Sequence, residues 1–284
     1  MPSFVDFYAV AAIHCRPQST GCRLRCQVQR SHTANNFHLL RELVRRDFHA
    51  RFTGSVLGVF WAVLQPLTLV ILYWFVFTYM FTRGPAGSND KYIDFLIAGL
   101  LPWLAINEGV VRSTTSIVEN ASMVRRLAFR SELLVVVPNA SAMIFESIGL
   151  ALFAIILGLR GFPPRLIWIL PLALLLQFAV QVGIGWFLAA SYVFFRDLLP
   201  VLGFLLSIVF YLSPILYDPM STRFERIFFW NPMTPLLGLF RSAMLSAALP
   251  AVGSLVFLVA VAAVLVIGGL LFFRRAQPTL ADLI

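Results

Sequence analysis

Residues 166–195 read LIWILPLALLLQFAVQVGIGWFLAASYVFF, a run that contains no charged side chain. A helix needs about 20 mainly apolar residues to cross the hydrocarbon core of a bilayer. This run exceeds that length, and Arg165 and Arg196 flank it on either side. It is therefore predicted to form a membrane-spanning helix.

Similar apolar runs recur along the chain of 284 residues and predict an all-α integral membrane protein with six transmembrane helices. Only 12% of the residues are charged, whereas soluble domains carry about 25%, which argues against a water-soluble enzyme. We expect a poorly ordered leader at 1–35, a transmembrane domain at 36–275 and a cytoplasmic tail at 276–284. The six spans are predicted at roughly 56–81, 93–113, 133–159, 166–195, 198–217 and 250–273.

The positive charge of the chain is interpreted as a signal of membrane orientation. The formal net charge is +9, but the basic residues lie in short segments between apolar runs, which argues against nucleic-acid binding. The segments on the side of the two termini hold roughly twice as many Lys and Arg as the alternate segments. Both termini are therefore predicted to face the cytoplasm.

Two kinds of site are not expected in this chain. A phosphate-binding G-x-x-x-x-G-K-[ST] loop needs a lysine, and the single lysine, Lys91, has no such glycine before it. The cysteines all precede the first apolar run, and their spacing fits no zinc pattern, so no metal site is expected either. They are Cys15, Cys22 and Cys26.

Residues 36–52 are predicted to form an amphipathic helix on the cytoplasmic membrane surface, ahead of the first span. Apolar and basic side chains fall on opposite faces, and no Gly or Pro interrupts the run. The alternative is a solvated basic linker. The apolar stripe consists of Phe37, Leu40, Val44 and Phe48, and the basic face of Arg41, Arg45, Arg46 and His49.

Residues 218–249, between the fifth and sixth spans, are too apolar for an ordinary loop. Pro232 and Pro235 are expected to cut them into two short pieces, each below the length of a full span. Such pieces are predicted to dip into the outer leaflet as re-entrant half-helices that form part of a pathway or gate. The alternative is an interfacial hairpin that only anchors through its aromatic residues. The candidate outer-gate residues are Trp230, Asn231, Pro232 and Arg241.

Few ionisable residues lie within the predicted spans, and each is a candidate for function because charge is costly in hydrocarbon. Glu108 and Arg112 are four residues apart on one helix and are expected to pair with each other. Asp94 lies at an outer end of the second span. Glu146 lies deep in the third span, so we expect it either to form a buried hydrogen bond or to line a channel.

Nothing in the spans resembles a catalytic set, since the four histidines all precede the first span. The spans carry aromatic stripes instead, which pack or face lipid in most membrane proteins but can also stack on sugar rings. Together with Glu146, the aromatic residues are the channel-lining candidates. They are Tyr73, Phe77 and Phe81 on the first span and Phe204 and Tyr211 on the fifth.

The segment after the second span, residues 119–132, is compatible with a helix that protrudes from the membrane. Its arginines favour a docking surface, and they would equally suit a positively charged topology anchor. The candidate docking residues are Glu119, Asn120, Arg125, Arg126, Phe129 and Arg130.

Taken together, these segments resemble the permease subunit of type-2 ABC transporters that export polysaccharide, namely the O-antigen, capsule and teichoic-acid exporters. The resemblance covers about residues 36–275. Where the family usually has Phe-Pro after its coupling helix, this chain has Phe129 followed by Arg130. The motifs that carry the resemblance are RRDFHARF at 45–52, LGVFWAVLQP at 57–66, the segment 120–134, FRDL at 195–198, LSP at 212–214, and NPMT at 231–234 followed by Arg241.

The resemblance implies roles for three of these segments. Residues 36–52 look like the family's interfacial gate helix, 120–132 like the coupling helix that docks the ATPase subunit, and 219–247 like outward-side gate helices. It further implies a homodimer bound to two ATPase subunits in a bacterial inner membrane, with ATP and Mg held by the ATPases and no cofactor on this chain. The cargo would be a lipid-linked polysaccharide, O-antigen before the others.

Two alternatives remain open from the sequence. Permeases that export drugs or lipids share the same six-span plan. The assignment of a glycan as the cargo therefore depends on the resemblance and on the aromatic stripes. A membrane enzyme that acts on lipid-linked sugars would instead use carboxylates such as Glu108 and Glu146, without an ATPase partner. Activity of the isolated subunit would favour the enzyme.

Overall fold

The computed structural model describes residues 38–50, 89–121, 123, 131–217 and 230–283, and short pieces between 60 and 76. The chain divides into two units, Met1–Glu42 and Leu43–Ile284. In the first unit, residues 38–42 are helical. Every regular element of the described ranges is helical and none is a strand, which confirms the predicted all-α class for this part of the chain.

The second unit begins with α1, residues 43–50, and contains four long helices and two short ones among the described residues. A 3-10 turn, Ile167–Ile169, precedes the third long helix. The long helices are α2 (Asn89–Glu119), α3 (Glu132–Leu159), α4 (Leu170–Phe194) and α7 (Val252–Leu283), and the short helices are α5 (Leu198–Leu212) and α6 (Met233–Leu245).

Four helical stretches are long and apolar enough to cross a membrane. Their lengths of 26 to 29 residues correspond to about 40 Å at 1.5 Å per residue, which exceeds the ~30 Å of a hydrocarbon core. They coincide with four of the six predicted spans, and the predicted span at 56–81 lies mostly outside the described residues. The stretches are Lys91–Glu119, Glu132–Leu159, Ile167–Phe194 and Val252–Gln277.

The helix at the predicted span 198–217 is shorter than the apolar run suggests. α5 ends at Leu212, and Ser213 is extended, with φ −92° and ψ 143°. The cause is Pro214, because a proline ring disfavours helical geometry in the residue before it. The apolar run therefore continues into the non-helical segment 213–217.

Pro232 and Pro235 were expected to cut the 218–249 segment into two short pieces. Pro232 does lie at the start of a short helix, α6, but Pro235 does not interrupt the chain there. Pro235 lies within the first turn of α6, whose N-cap is Pro232. The first N–H groups of a helix have no intrahelical acceptor, so a proline there removes no hydrogen bond. The other predicted half-helix falls on residues 218–229, which lie outside the described residues.

The core of the second unit lies where α2, α3, α4 and α6 meet. Its largest fully buried side chains include Phe153, Phe240 and Leu236. A smaller apolar cluster, which includes Ile117, Val135 and Phe273, joins α2 and α3 to α4 and α7. The core therefore brings the beginning of α2, the end of α3 and α6 together, and that region holds the candidate outer-gate residues.

Helices α4 and α7 approach so closely that glycine is required at the contact. A Cβ at Gly183 would lie 2.6 Å from the backbone carbonyl carbon of Leu265, and one at Gly269 would lie 2.2 Å from the carbonyl oxygen of Gly183. Small residues allow such backbone approach between helices in membranes, where packing replaces the hydrophobic effect. This contact fixes the position of α7 against α4.

Candidate functional site

The guanidinium of Arg112 links α1 to α2. Its Nη2 donates to Asp47 Oδ1 at 2.6 Å, while its Nη1 lies 3.8 Å from Glu108 Oε1. The predicted pairing of Glu108 with Arg112 is thus present, and Asp47 provides the shorter contact. The sequence did not suggest Asp47, because it precedes Arg112 by 65 positions and no helical spacing connects the two.

The apolar face of α1 contacts α3. Phe48 stacks on Phe145, with ring centroids 5.0 Å apart and ring planes inclined by 18°. Val44 and Phe48 are half-buried, while Arg45, Arg46 and His49 are exposed. This division of faces is the one predicted from the sequence. In the first unit Leu40 is half-buried and Arg41 exposed, and Phe37 lies outside the described residues.

The non-helical segment 213–217 has backbone carbonyls that accept hydrogen bonds from side chains of neighbouring elements. Arg241 Nη2 donates to Pro214 O at 2.6 Å and to Ile215 O at 3.2 Å. Tyr92 Oη, on α2, donates to Leu216 O at 2.8 Å. Helix ends and irregular backbone leave carbonyls unpaired, and these side chains satisfy them without water.

Arg241 is 7% exposed, which makes it a buried cation in the core of the second unit. Its guanidinium carbon lies 3.5 Å from the centroid of the Phe95 ring. A Cβ on Gly99, one turn further along α2, would approach Arg241 Nη2 to 2.9 Å. Aromatic stacking and carbonyl hydrogen bonds are the contacts that make a buried arginine tolerable. Arg241 therefore connects α6, α2 and the segment after α5.

The other outer-gate candidates lie just before α6. Asn231 Nδ2 donates to Leu212 O at 3.1 Å, and Asn231 Oδ1 accepts from the backbone N–H of Met233 at 2.9 Å. Trp230 is 70% exposed, and its ring meets Phe257 of α7 edge to face at 5.8 Å. Asn231 and Arg241 thus both contact the end of α5 or the segment that follows it.

Glu146 is buried between α3 and α4. It is 4% exposed, and Gln177 Nε2 donates to Glu146 Oε2 at 2.5 Å. Of the two roles considered for Glu146, this contact corresponds to the buried hydrogen bond. Gln177 was not among the candidates from the sequence, although a glutamine inside a run as apolar as 166–195 is itself a signal of an interhelical hydrogen bond.

The two channel-lining candidates on α5 are both surface residues. Phe204 is 68% exposed and Tyr211 is 66% exposed, while other large apolar side chains of α5, such as Leu205, are also exposed. This face of α5 is not covered by the described helices of the chain. The candidates on the first predicted span, Tyr73, Phe77 and Phe81, lie outside the described residues.

The predicted docking segment is described mainly at its two ends. Glu119 is the exposed last residue of α2, and Asn120 Nδ2 donates to Ser116 O at 2.8 Å. At the start of α3, Glu132 Oε1 accepts from Arg274 Nε of α7 at 2.7 Å. The remaining candidates lie outside the described residues; they are Arg125, Arg126, Phe129 and Arg130.

A further ion pair joins the end of α3 to the beginning of α2. Arg160 Nη1 contacts Asp94 Oδ1 at 2.7 Å, where α3 ends and α2 begins. Arg160 and Asp94 thus join α3 to α2 at one end, whereas Glu132 and Arg274 join α3 to α7 at the other end. Across the residues that the structure describes, no group of three or more His, Cys, Asp or Glu side chains could hold a metal ion.

The chain is similar to several bacterial transport proteins. It is 27% identical over 221 residues to the O-antigen export system permease protein RfbA of Klebsiella pneumoniae, a match that covers 75% of this chain and 82% of that protein. It is 28% identical over 254 residues to the protein of the same name from Myxococcus xanthus, covering 86% and 94% respectively.

A family model agrees with these relatives. The model described as ABC-2 type transporter matches residues 38–245. The match runs from the helical residues ahead of α1 through the last residue of α6, and so includes the segment 213–217 and Arg241. With the apolar helices of the described part, it makes the protein a multi-pass membrane protein. By this match over most of its length, the chain belongs to the ABC-2 type transporter family.

Proposed function

We propose that the chain is the permease subunit of an exporter that moves lipid-linked polysaccharide, O-antigen before capsule or teichoic acid, across the bacterial inner membrane. The observation that carries the proposal is the extent of the match to the RfbA permeases, which reaches 94% of the Myxococcus xanthus protein. As a transporter permease, the chain is not itself an enzyme. Its task is to move a polar polymer across the hydrocarbon core of the membrane.

The proposed pathway needs six spans and a second copy of the chain. A hydroxyl-rich polymer cannot enter hydrocarbon unless its polar groups are satisfied, so a channel must enclose it. The exposed face of α5, with Phe204 and Tyr211, supports a channel wall at the axis of a homodimer. Tyr73, Phe77 and Phe81 of the proposed first span would extend that wall, and their rings would stack on sugar faces.

The driving force would come from two ATPase subunits that bind ATP and Mg, because the single lysine of this chain is not in a nucleotide loop. Residues 119–132 would receive the movement of these subunits on the cytoplasmic side. The short covalent distance from this segment to the ends of α2 and α3 supports that role, since both helices would move with it. Both termini would face the cytoplasm, as the distribution of Lys and Arg favours.

The gates would lie at the two membrane surfaces. Residues 36–52 would form the cytoplasmic gate helix, held by the contact of Asp47 with Arg112 and of Phe48 with Phe145. Residues 219–247 would form the outward gate, held by Arg241 and Asn231. Closure of the ATPases would then shift the spans between two arrangements of these gates.

Deletion of the gene tests the proposal in the cell. We expect lipid-linked polymer of full length to accumulate on the cytoplasmic face of the inner membrane, while the surface polysaccharide disappears. Expression of the intact chain from a plasmid should restore the surface polymer, and the empty plasmid is the control. A normal surface without accumulated polymer would contradict the proposal and favour an exporter of drugs or lipids.

A further inference from the structure

Three buried polar side chains lie between α3 and α4, near the middle of both helices. Glu146 of α3 is 4% exposed, and Gln177 and Gln181 of α4 have no exposed surface. One hydrogen bond lies within this group, from Gln177 Nε2 to Glu146 Oε2 at 2.5 Å. The surrounding helices are strongly apolar, so this group is an exception that requires a physical explanation.

The polar atoms of this group exceed the hydrogen bonds that the described residues provide. Four of them have no partner there: Glu146 Oε1, Gln177 Oε1, Gln181 Oε1 and Gln181 Nε2. A buried polar atom without a partner carries the full penalty of its lost hydration. Three of the four are oxygens that accept hydrogen bonds, and the fourth is an amide nitrogen that donates. The ligand that satisfies them must therefore donate more hydrogen bonds than it accepts, yet be able to do both.

The unsatisfied atoms of Gln177 and Gln181 belong to one face of α4. Gln177 and Gln181 are four residues apart on one helix, so their Cβ atoms are neighbours on the same face, about 6 Å apart. The hydrogen bond to Glu146 shows that this face of α4 is turned toward α3. Water molecules in protein interiors make about three hydrogen bonds to otherwise unsatisfied polar groups. A water molecule both donates and accepts, and it brings no charge into the hydrocarbon layer.

We propose that Glu146, Gln177 and Gln181 form an internal water site between α3 and α4. The site is independent of the cargo and of the ATPase partner, and so goes beyond the proposed function. Its consequence is mechanical, because hydrogen bonds through water can change partners as two helices shift. The contact of Gly183 with Gly269, in contrast, is close backbone packing that allows no such shift. The α3–α4 contact is thus the adjustable one, and the α4–α7 contact is the fixed one.

Hydroxyl-radical footprinting of the full chain in lipid nanodiscs tests the site. An X-ray pulse generates radicals from bound water, and these label neighbouring side chains even where bulk water is excluded. Val180 lies beside Gln181 in the chain and Leu150 lies one turn after Glu146; both are nearly fully buried. We expect both to be labelled several-fold faster than Leu237, an equally buried residue of α6. Equal labelling of the three residues would overturn the proposal.

Variants at Gln181 connect the labelling to the site. Gln181→Leu removes a donor and an acceptor, and we expect labelling of Val180 to fall to the level of Leu237. Gln181→Met serves the same purpose if the leucine variant does not fold, and melting temperatures identify folded samples. Undiminished labelling of Val180 in a folded variant would overturn the site. A loss of labelling and of thermal stability when sodium is replaced by choline would also overturn it, since the ligand would then be a cation.

Discussion

At the scale of single residues, long-range polar contacts organise the structure around a few charged side chains. Arg241 is buried yet paired, because two backbone carbonyls and an aromatic ring replace its hydration. It was a candidate in the sequence because it follows the NPMT motif at 231–234 in the pattern that resembles the exporter permeases. Its partners, Pro214 and Ile215, could not be derived, since they lie on another element and contribute only backbone atoms. The same limit applied to Asp47 and Gln177.

Arg241→Met is expected to destabilise the protein by about 2–4 kcal/mol, because the carbonyls of Pro214 and Ile215 would lose a charged donor while remaining buried. Arg241→Lys should cost less, since an ammonium keeps the charge but lacks the planar fork. Thermal unfolding in detergent, followed by the monodisperse fraction, measures both. Arg160→Met is the control at a partly exposed ion pair, where a loss below about 1 kcal/mol is expected. Equal losses for Arg241→Met and Arg160→Met would contradict this account of Arg241.

Asp47→Asn is expected to loosen α1 from α2, because it removes the charge opposite Arg112 while keeping the size of the side chain. Both side chains are partly exposed, at 34% for Arg112 and 20% for Asp47. Because solvent screens the ion pair, the loss of stabilisation of α1 is limited to about 1 kcal/mol. Limited proteolysis near residue 50 measures the release of α1. Glu42→Gln removes a charge from an exposed side chain five residues earlier in the sequence and should leave the cleavage rate unchanged. A cleavage rate for Asp47→Asn equal to that of the unmodified chain would disprove the role of this ion pair.

At the scale of helices, the apolar runs of the sequence indicate which segments form long helices. Proline determines where some of these helices begin or end, and glycine determines where two helices pack closely. The four long helices follow directly from run length. The early end of α5 at Leu212 could have been inferred from Pro214, and the place of Pro235 in the first turn of α6 from the tolerance of helix starts for proline. The close contact of α4 and α7 could not have been inferred, because no local sequence pattern indicates which glycines pack against the backbone of another helix.

Gly269→Ala is expected to force α7 away from α4, because the new methyl group would collide with the carbonyl oxygen of Gly183. Because backbone atoms cannot rotate aside, we expect the free energy of unfolding to fall by well over 1 kcal/mol, seen as aggregation or a large fall in melting temperature. Gly268→Ala is the matched control, since nothing lies within 4 Å of its Cβ position. Alanine there should stabilise the helix by roughly 0.5–1 kcal/mol. Similar behaviour of the two variants would contradict the α4–α7 contact.

At the scale of the whole molecule, the family of the chain and its similarity to export permeases could be predicted from the sequence. The assembly and the cargo could not be derived from one chain. The order of short motifs along the sequence was specific enough to suggest the family, which the match to residues 38–245 confirms. The channel-lining, gate and docking roles remain proposals. These roles concern surfaces that a second copy of the chain and an ATPase would cover. For contacts between subunits, one chain provides only the exposure and the charge of its own residues.

The double variant Arg125→Glu and Arg126→Glu is expected to release the ATPase from the permease, because it reverses the charge of the proposed docking segment. Copurification of the two subunits should fall at least tenfold, while the amount of permease in the membrane stays the same. Arg196→Glu and Arg275→Glu together form the control, because they reverse the charge of two exposed arginines outside the docking segment. Normal copurification and export in the Arg125/Arg126 variant would remove the docking assignment.

The most direct test of the central claim is export by purified components. The full chain and its ATPase would be reconstituted in proteoliposomes that carry lipid-linked polysaccharide on the ATPase side. Arrival of the polymer on the opposite side would be followed by a glycosidase that is present only there. We predict digestion that requires ATP, this chain and the ATPase together. Digestion that is independent of ATP, or ATP-driven movement of lipid without the polymer, would contradict the account.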